Sequence, residues 1–430
     1  MRRAGILFFF GAVACASLPS STSEDSGVIE QGEKPVRIAL ATAAREARIG
    51  GVGAWVMYNR NTTQRVFRGK ATDEIRVEIR GDRLVWFTAG SVPPSSRYAG
   101  PYIFRSMTPG ALLRYDGKRY RGELIITPRN GGLLVVNRLG VESYLRGVVP
   151  LEIGVAKPGE EAAVEAQAVA ARSYTYTRIA EAGNRGFDMY GSVQDQAYGG
   201  ANAEKAMTDA AVEKTRDMVL RFAGRIINTP YSSTCGGRTA EVKEVWWRRN
   251  SEPYLKSVSD QIPGTDRYYC DISGRFRWNT EFTGTQLQET LEKYLASVTP
   301  ASEPPVSANS GTPRLALGRV TDFRINGRTP SDRVESVSIQ TDRGSYVVRG
   351  NDVRFILRTP SGGLLNSTYF TAETSGGGGS AISRLSIRGG GWGHGIGMCQ
   401  WGAIGRARAG QDYKTILTSY YSGTTVGPID

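Results

Sequence analysis

The chain has 430 residues, 40% of them hydrophobic, with 53 glycines, seven tryptophans and a formal charge of +13. That length and apolar content exclude a chain too short to bury a core, and they predict two or three domains. The basic balance leaves nucleic acid, anionic lipid and acidic polymers as partner classes for the motifs to decide among.

The first residues narrow that choice. Arg2-Arg3 precede an apolar run over 4–14, which reads as a secretory leader and is too short to span a bilayer as a helix. Ala12-Val13-Ala14-Cys15 is similar to a bacterial lipobox, with Ala12 where Leu is usual. Lipid attachment at Cys15, with the polar stretch 20–32 as a tether, is the expectation, and simple cleavage near Ala16 is the alternative. Residues 1–32 are thus leader and tether, the working protein lies outside the cytoplasm, and nucleic acid drops out as a partner.

Residues 36–130 alternate in short apolar and polar runs broken by Gly, Asn and Asp, the pattern of an antiparallel β module. Leu133 to Asn137 lead as a strand into Val149-Pro150-Leu151-Glu152, where Pro150 restricts Val149 to extended geometry and predicts a turn. Glu152 follows it among Leu151, Ile153 and Val155. Burial there would raise its carboxyl pKa, as a general acid requires, whereas a solvated loop carboxylate would have no such shift. Residues 160–182 predict an Ala-rich helix, opened by Pro158-Gly159 and two acids and closed by Gly183-Asn184. Arg172 shares a stripe with Glu161 and Glu165. Gln167 projects from the apolar side, where it either bonds a neighbouring loop or lines a cleft.

Beyond the helix, the loop 192–200 offers Gln194, Asp195, Gln196 and Tyr198. Further helices are predicted over 203–215 and 283–298, with a hairpin over 218–230. Ser233 to Arg238 surround the pair Gly236-Gly237, whose backbone suits either a substrate oxygen or a close-packed turn. Residues 299–312 read as a linker or long surface loop, 313–372 as a β insertion subdomain and 380–430 as the return to the core begun at 131–300. The fold class is α+β, a mixed β-rich core around the Ala-rich helix. In the last Gly-rich motif stand Trp392, His394, the only histidine of the chain, and Gln400.

Four stretches together resemble the SpoIID/LytB domain family: GVVPLEIG with EAAVEAQAVAARSYTYT, then SVQDQAYGG, STCGGRT and GWGHGIGMCQWGA. The likeness runs over roughly 36–428 and is specific from Leu139 onward. It implies a lytic transglycosylase that cuts peptidoglycan glycan strands freed of stem peptides, with Glu152 catalytic. It also implies a cleft with Gln167, Arg172, Gln194, Asp195, Gln196, Tyr198, Ser233, Arg238, Trp392, His394 and Gln400 as substrate-binding residues. His394 would either orient Glu152 or touch sugar. Peptide-free strands are polyanions, so a basic cleft would attract them. A rival expectation from the same family is a non-catalytic binder that enhances an amidase partner. No cofactor is expected.

Cys235, Cys270 and Cys399 remain beyond the leader, an odd number in an oxidising compartment. The expected pairing is a Cys235–Cys270 disulfide, because each follows a strand-like segment, with Cys399 a buried thiol. A metal site of the three cysteines with His394 is the weaker alternative, because the spacing is not a metal-binding one.

Overall fold

The computed structural model describes residue 29 and residues 33–429 apart from positions 82, 89–99, 156, 299–316 and 360. The leader with Cys15 and the stretch 299–312 lie outside the described residues.

The alternating pattern of the first third folds into two sheets. The larger has strands in the spatial order Met189–Tyr190, Pro35–Ala44, Gly132–Gly140, Glu123–Arg129, Tyr102–Ser106, Trp55–Asn59 and Arg65–Gly69. The smaller runs Arg83–Thr88, Glu74–Arg80, Glu46–Gly51, Leu113–Tyr115, Lys118–Tyr120. Trp55, Met57, Phe104 and Leu124 of the first share one core with Ala47, Ile49, Ile75 and Val77 of the second. Pro35 pairs with Gly140, so the first long strand lies beside the one that delivers the chain to the site.

That delivery differs from the expected extended approach. Val141–Glu152 is a single α-helix with Pro150 inside its last turn. The reason is spacing: Val141, Tyr144, Leu145, Val148 and Val149 recur at i, i+3, i+4, i+7 and i+8, and all are buried. Burial of that stripe outweighs the cost of proline, which is confined to a helix end where few bonds remain to be broken. The helix stops at Ile153, whose N–H still reaches the Val149 carbonyl at 3.1 Å.

The Ala-rich helix forms as expected, over Glu161–Glu181. Ala163, Ala166 and Ala170 face one hydrophobic cluster, with Ile396, Met398, Ala403 and Ile416. Val164, Ala168, Ala171 and Tyr174 face another, with Tyr144, Val148 and Val149. Arg172 does not reach a cleft, in contrast to its expected role: it is fully buried, and its Nε and Nη2 each donate to a Glu142 carboxylate oxygen at 2.6 Å. Its charge is therefore spent on joining the two helices.

The remaining elements surround this pair. Met218–Phe222 forms the expected hairpin with Arg225–Ile226, and Thr425–Pro428 adds to its other edge. Tyr231–Ser232 runs parallel to Met398–Cys399. The helix Gly284–Tyr294 is capped by Thr283, and its Leu287 and Leu291 pack in one cluster with Val337, Ile339, Ile356 and Leu385. Helices and several sheets in one chain make the fold α+β.

Removing one partner of the buried ion pair strands the other in an apolar interior. Arg172→Ala is expected to lower unfolding free energy by about 3–5 kcal/mol, and Arg172→Met with Glu142→Leu to recover most of it. Urea denaturation of the three proteins measures this; an Arg172→Ala variant of unchanged stability contradicts a structural role.

Candidate functional site

Glu152 is the last residue of its helix and is partly buried. Its Oε1 accepts the Ala197 N–H at 2.7 Å. Desolvation raises the carboxyl pKa, as its aliphatic neighbours predict, while the Ala197 N–H and the Gln400 side chain oppose that rise by holding the charged form. The Gln400 amide also donates to Gln167 Oε1 at 3.1 Å. Gln167 is fully buried, and its own Nε2 has no hydrogen-bond partner. The Gln400 amide, from the far end of the chain, therefore joins Gln167 to Glu152.

The loop 192–200 reaches Glu152 because Gly147 lets it approach. A Cβ at position 147 would sit 2.6 Å from the Tyr198 ring, so any side chain there would push the loop off the helix. Within the loop the roles differ from expectation. Gln196 is only 1% exposed, and its amide is fully occupied by Tyr144, Thr175, Tyr231 and the Ala171 carbonyl. It braces the loop and has no face for a sugar. Tyr198 donates to Asn137 Oδ1 at 2.7 Å and packs its ring on Tyr144. Asp195 is held by Tyr174, the Tyr190 N–H and Arg178. Gln194 is exposed.

Of the later motifs, Trp392 stands 40% exposed with the Arg275 guanidinium 3.7 Å above its ring. Its backbone exchanges both hydrogen bonds with Thr234. His394 lies against Trp246, and its Nδ1 accepts the Ile396 N–H at 3.0 Å. Burial pushes its pKa down to about 3, reinforced by the nearby Arg354 and Arg333 charges, so the ring is neutral at neutral pH. No contact joins it to Glu152 among the described residues; its other hydrogen bond is with the Tyr231 backbone. Ser233 offers its carbonyl to the Trp401 N–H. Arg238 is exposed and lines a recess of about 160 Å³ with Tyr268, Arg277 and Asp332, a lining that does not include Glu152.

The expected disulfide is corrected. Cys235 and Cys270 are free thiols with Sγ atoms 3.5 Å apart, a hydrogen-bonding separation, against about 2.0 Å for an S–S bond. Cys399 is not isolated, since its Sγ accepts the Cys235 N–H at 3.1 Å. His394 takes no part in this cluster; its fourth member is Asp260. The sequence reading also missed Tyr144, Tyr231 and Asn137, which hold the loop. Tyr231 adjoins the Ser-Thr-Cys-Gly-Gly stretch, but periodicity gives no sign that it points at Gln196.

The profile of a family described as stage II sporulation protein, SpoIID, matches residues 129–222, and that of a domain of unknown function matches 240–397. An uncharacterized protein of Brachyspira hyodysenteriae is 31% identical over 312 residues, 72% of this chain and 73% of that protein. An amidase enhancer of Bacillus subtilis is 32% identical over 307 residues, covering 66% of this chain and 40% of the enhancer. Stage II sporulation protein D of the same organism is 26% identical over 311 residues, 69% of this chain and 76% of that protein.

The raised carboxyl pKa has a signed consequence. Between the ordinary carboxyl value and the raised folded value, the folded state binds more protons than the unfolded one, so stability falls as pH rises through that window. Glu152→Gln removes this penalty. The variant is expected to match the parent in stability at acid pH and to exceed it at neutral pH, in paired denaturation curves. A gap of the opposite sign at neutral pH contradicts a desolvated carboxylate.

Proposed function

The chain belongs to the SpoIID family, and on that premise we propose that it cuts the glycan strands of peptidoglycan as a lytic transglycosylase, with Glu152 as acid and then base. The relatives named stage II sporulation protein D and amidase enhancer support a peptidoglycan-related role outside the cytoplasm. Among the described residues no helix is long and apolar enough to cross a membrane. Secretion by the 1–32 leader, with Cys15 lipidated, belongs to the same reading.

The observation that carries the proposal is the state of Glu152: a carboxyl whose pKa desolvation raises, yet fixed by one backbone N–H and one side-chain amide that donate to its charged form. In the first step Glu152 protonates the oxygen linking N-acetylmuramic acid to N-acetylglucosamine, and the glycosidic bond breaks. In the second, its carboxylate takes the proton of the muramoyl C6 hydroxyl, whose oxygen bonds to the anomeric carbon and closes a 1,6-anhydro ring. The nucleophile belongs to the substrate, so one carboxylate suffices. Hydrolysis needs a second across the bond. Asp195, the candidate for that place, already has both oxygens engaged by protein donors, which favours the internal attack. Exposed Trp392 under Arg275 offers a ring face for sugar and a positive charge for the lactyl carboxylates. Gln400, itself bonded to Gln167, holds the carboxyl in place, and Gln194, Ser233 and Arg238 are candidates for contacts further along the strand.

The relative named amidase enhancer favours a second reading, in which the same surface holds glycan strands for a partner amidase. Mass spectrometry of peptide-free strands incubated with the pure protein separates the two. Anhydro-muramoyl ends are expected, with Glu152→Gln slower by roughly 100-fold or more while its fold is retained. Reducing ends would replace the transglycosylase with a hydrolase, and intact strands would leave the binder.

A further inference from the structure

Away from the contacts of Glu152, four segments bring one donor each to a single buried point. Cys235 follows the strand Tyr231–Ser232, Asp260 lies in a loop, Cys270 sits in the turn Tyr269–Ile272, and Cys399 ends the strand Met398–Cys399. Their three Sγ atoms and a carboxylate oxygen all lie within 4.8 Å of one another, and all four residues are buried. Cys235 Sγ is 3.5 Å from Cys270 Sγ and 3.8 Å from Asp260 Oδ2. A tetrahedral ion bound at about 2.3 Å by sulfur sets its donors about 3.8 Å apart, so these edges fit with little movement.

The surroundings point the same way independently. The Cys235 and Gly402 N–H groups aim at Cys399 Sγ at 3.1 and 3.3 Å, a pattern suited to a thiolate. Tyr420 donates to Asp260 Oδ1 at 2.6 Å and Arg406 lies 3.4 Å from the same oxygen, leaving Oδ2 to face the sulfurs. Ligating carboxylates are held in this way by an outer ring of donors. Three thiolates and a carboxylate carry four negative charges, and a divalent ion cancels two. Arg406 and Arg333 supply two more positive charges. Arg333 is 1% exposed, donates to the Cys235 carbonyl at 3.0 Å, and has no hydrogen-bond partner for its Nε and Nη1. Buried guanidinium groups left so poorly bonded are costly unless negative charge lies close by.

We propose that Cys235, Asp260, Cys270 and Cys399 bind one structural zinc ion. Four protein ligands close the coordination shell, and a soft, sulfur-rich tetrahedral donor set selects zinc over magnesium or calcium. The ion ties Cys399, and with it the adjacent Gln400 amide, to the loops of Asp260 and Cys270. It also keeps reduced three thiols that, being odd in number, cannot all pair in an oxidising compartment.

The test is metal and thiol content of the full chain, purified without chelator from zinc-supplemented medium. About one zinc per chain is expected, released by a mercurial as three thiols react, and Cys270→Ser should lower retained zinc roughly tenfold or more after dialysis. Should that variant fail to fold, cobalt(II) loaded into the parent chain serves instead, with intense thiolate-to-cobalt absorption and tetrahedral d–d bands expected. Folded parent protein without zinc, zinc unchanged in Cys270→Ser, no thiolate–cobalt absorption, or a Cys235–Cys270 disulfide in peptide mapping each overturns the proposal. None of these readouts depends on whether the chain cuts glycan.

Discussion

The arrangement depends on how closely other elements can pack around the helix Glu161–Glu181. Helix axes approach to about 8–10 Å, nearer the lower limit when the contact residues are small. Ala163, Ala166 and Ala170 admit the C-terminal elements on one side, and Ala168 and Ala171 admit the helix of Glu152 on another. A longer side chain at any of these positions would separate Gln167 from Gln400 or Glu142 from Arg172. Two of the polar residues buried in this helix, Arg172 and Gln167, are each matched by one from a different segment, which fixes rotation as well as distance.

Much of this was legible in sequence. The Ala-rich helix, the β module, the hairpin at Met218–Phe222 and the capped helix after Thr283 follow from periodicity and end signals that act within a few residues. The approach to Glu152 was misread for a physical reason: Pro150 is a strong local signal, while the buried stripe from Val141 to Val149 gains its energy only from residues distant in sequence. The same distinction governs the site. Residue chemistry marks Gln196 and Arg172 as polar, but only the packing shows that their partners are internal. Gln400, bonded to Gln167, reaches Glu152, whereas Arg238 opens onto a separate recess. The thiol cluster was half visible: three cysteines can be counted, but nothing near Asp260 in sequence marks it as the fourth donor.

The electrostatics of Glu152 rest on a balance. Full burial would favour the acid so strongly that the carboxylate could not re-form, and full exposure would lose the proton at neutral pH. The helix end contributes to the first tendency, because its carbonyls disfavour negative charge. One backbone N–H and one shared amide counter it without supplying a formal charge. Neutral donors moderate a pKa where a guanidinium would suppress it, and no arginine is among the groups that shift the Glu152 carboxyl.

Holding Gln400 in place is a long-range problem. It adjoins Cys399, which meets Cys235 across 164 residues of chain, and closing such a loop has an entropic cost that the short parallel pairing of Tyr231–Ser232 with Met398–Cys399 offsets only in part. Side-chain donors gathered at the end of that pairing supply what two-residue strands cannot. Asp260 adds a third segment through Tyr420 and Arg406, and Gly402 must lack a side chain because a Cβ there would collide with both the Tyr420 hydroxyl and the Asp260 carboxylate. The Gly-rich motif around His394 and the cysteine cluster are therefore parts of one device: glycine lets the chain pass close, the cluster holds it there, and the amide of Gln400 is carried to the carboxyl of Glu152 as the result.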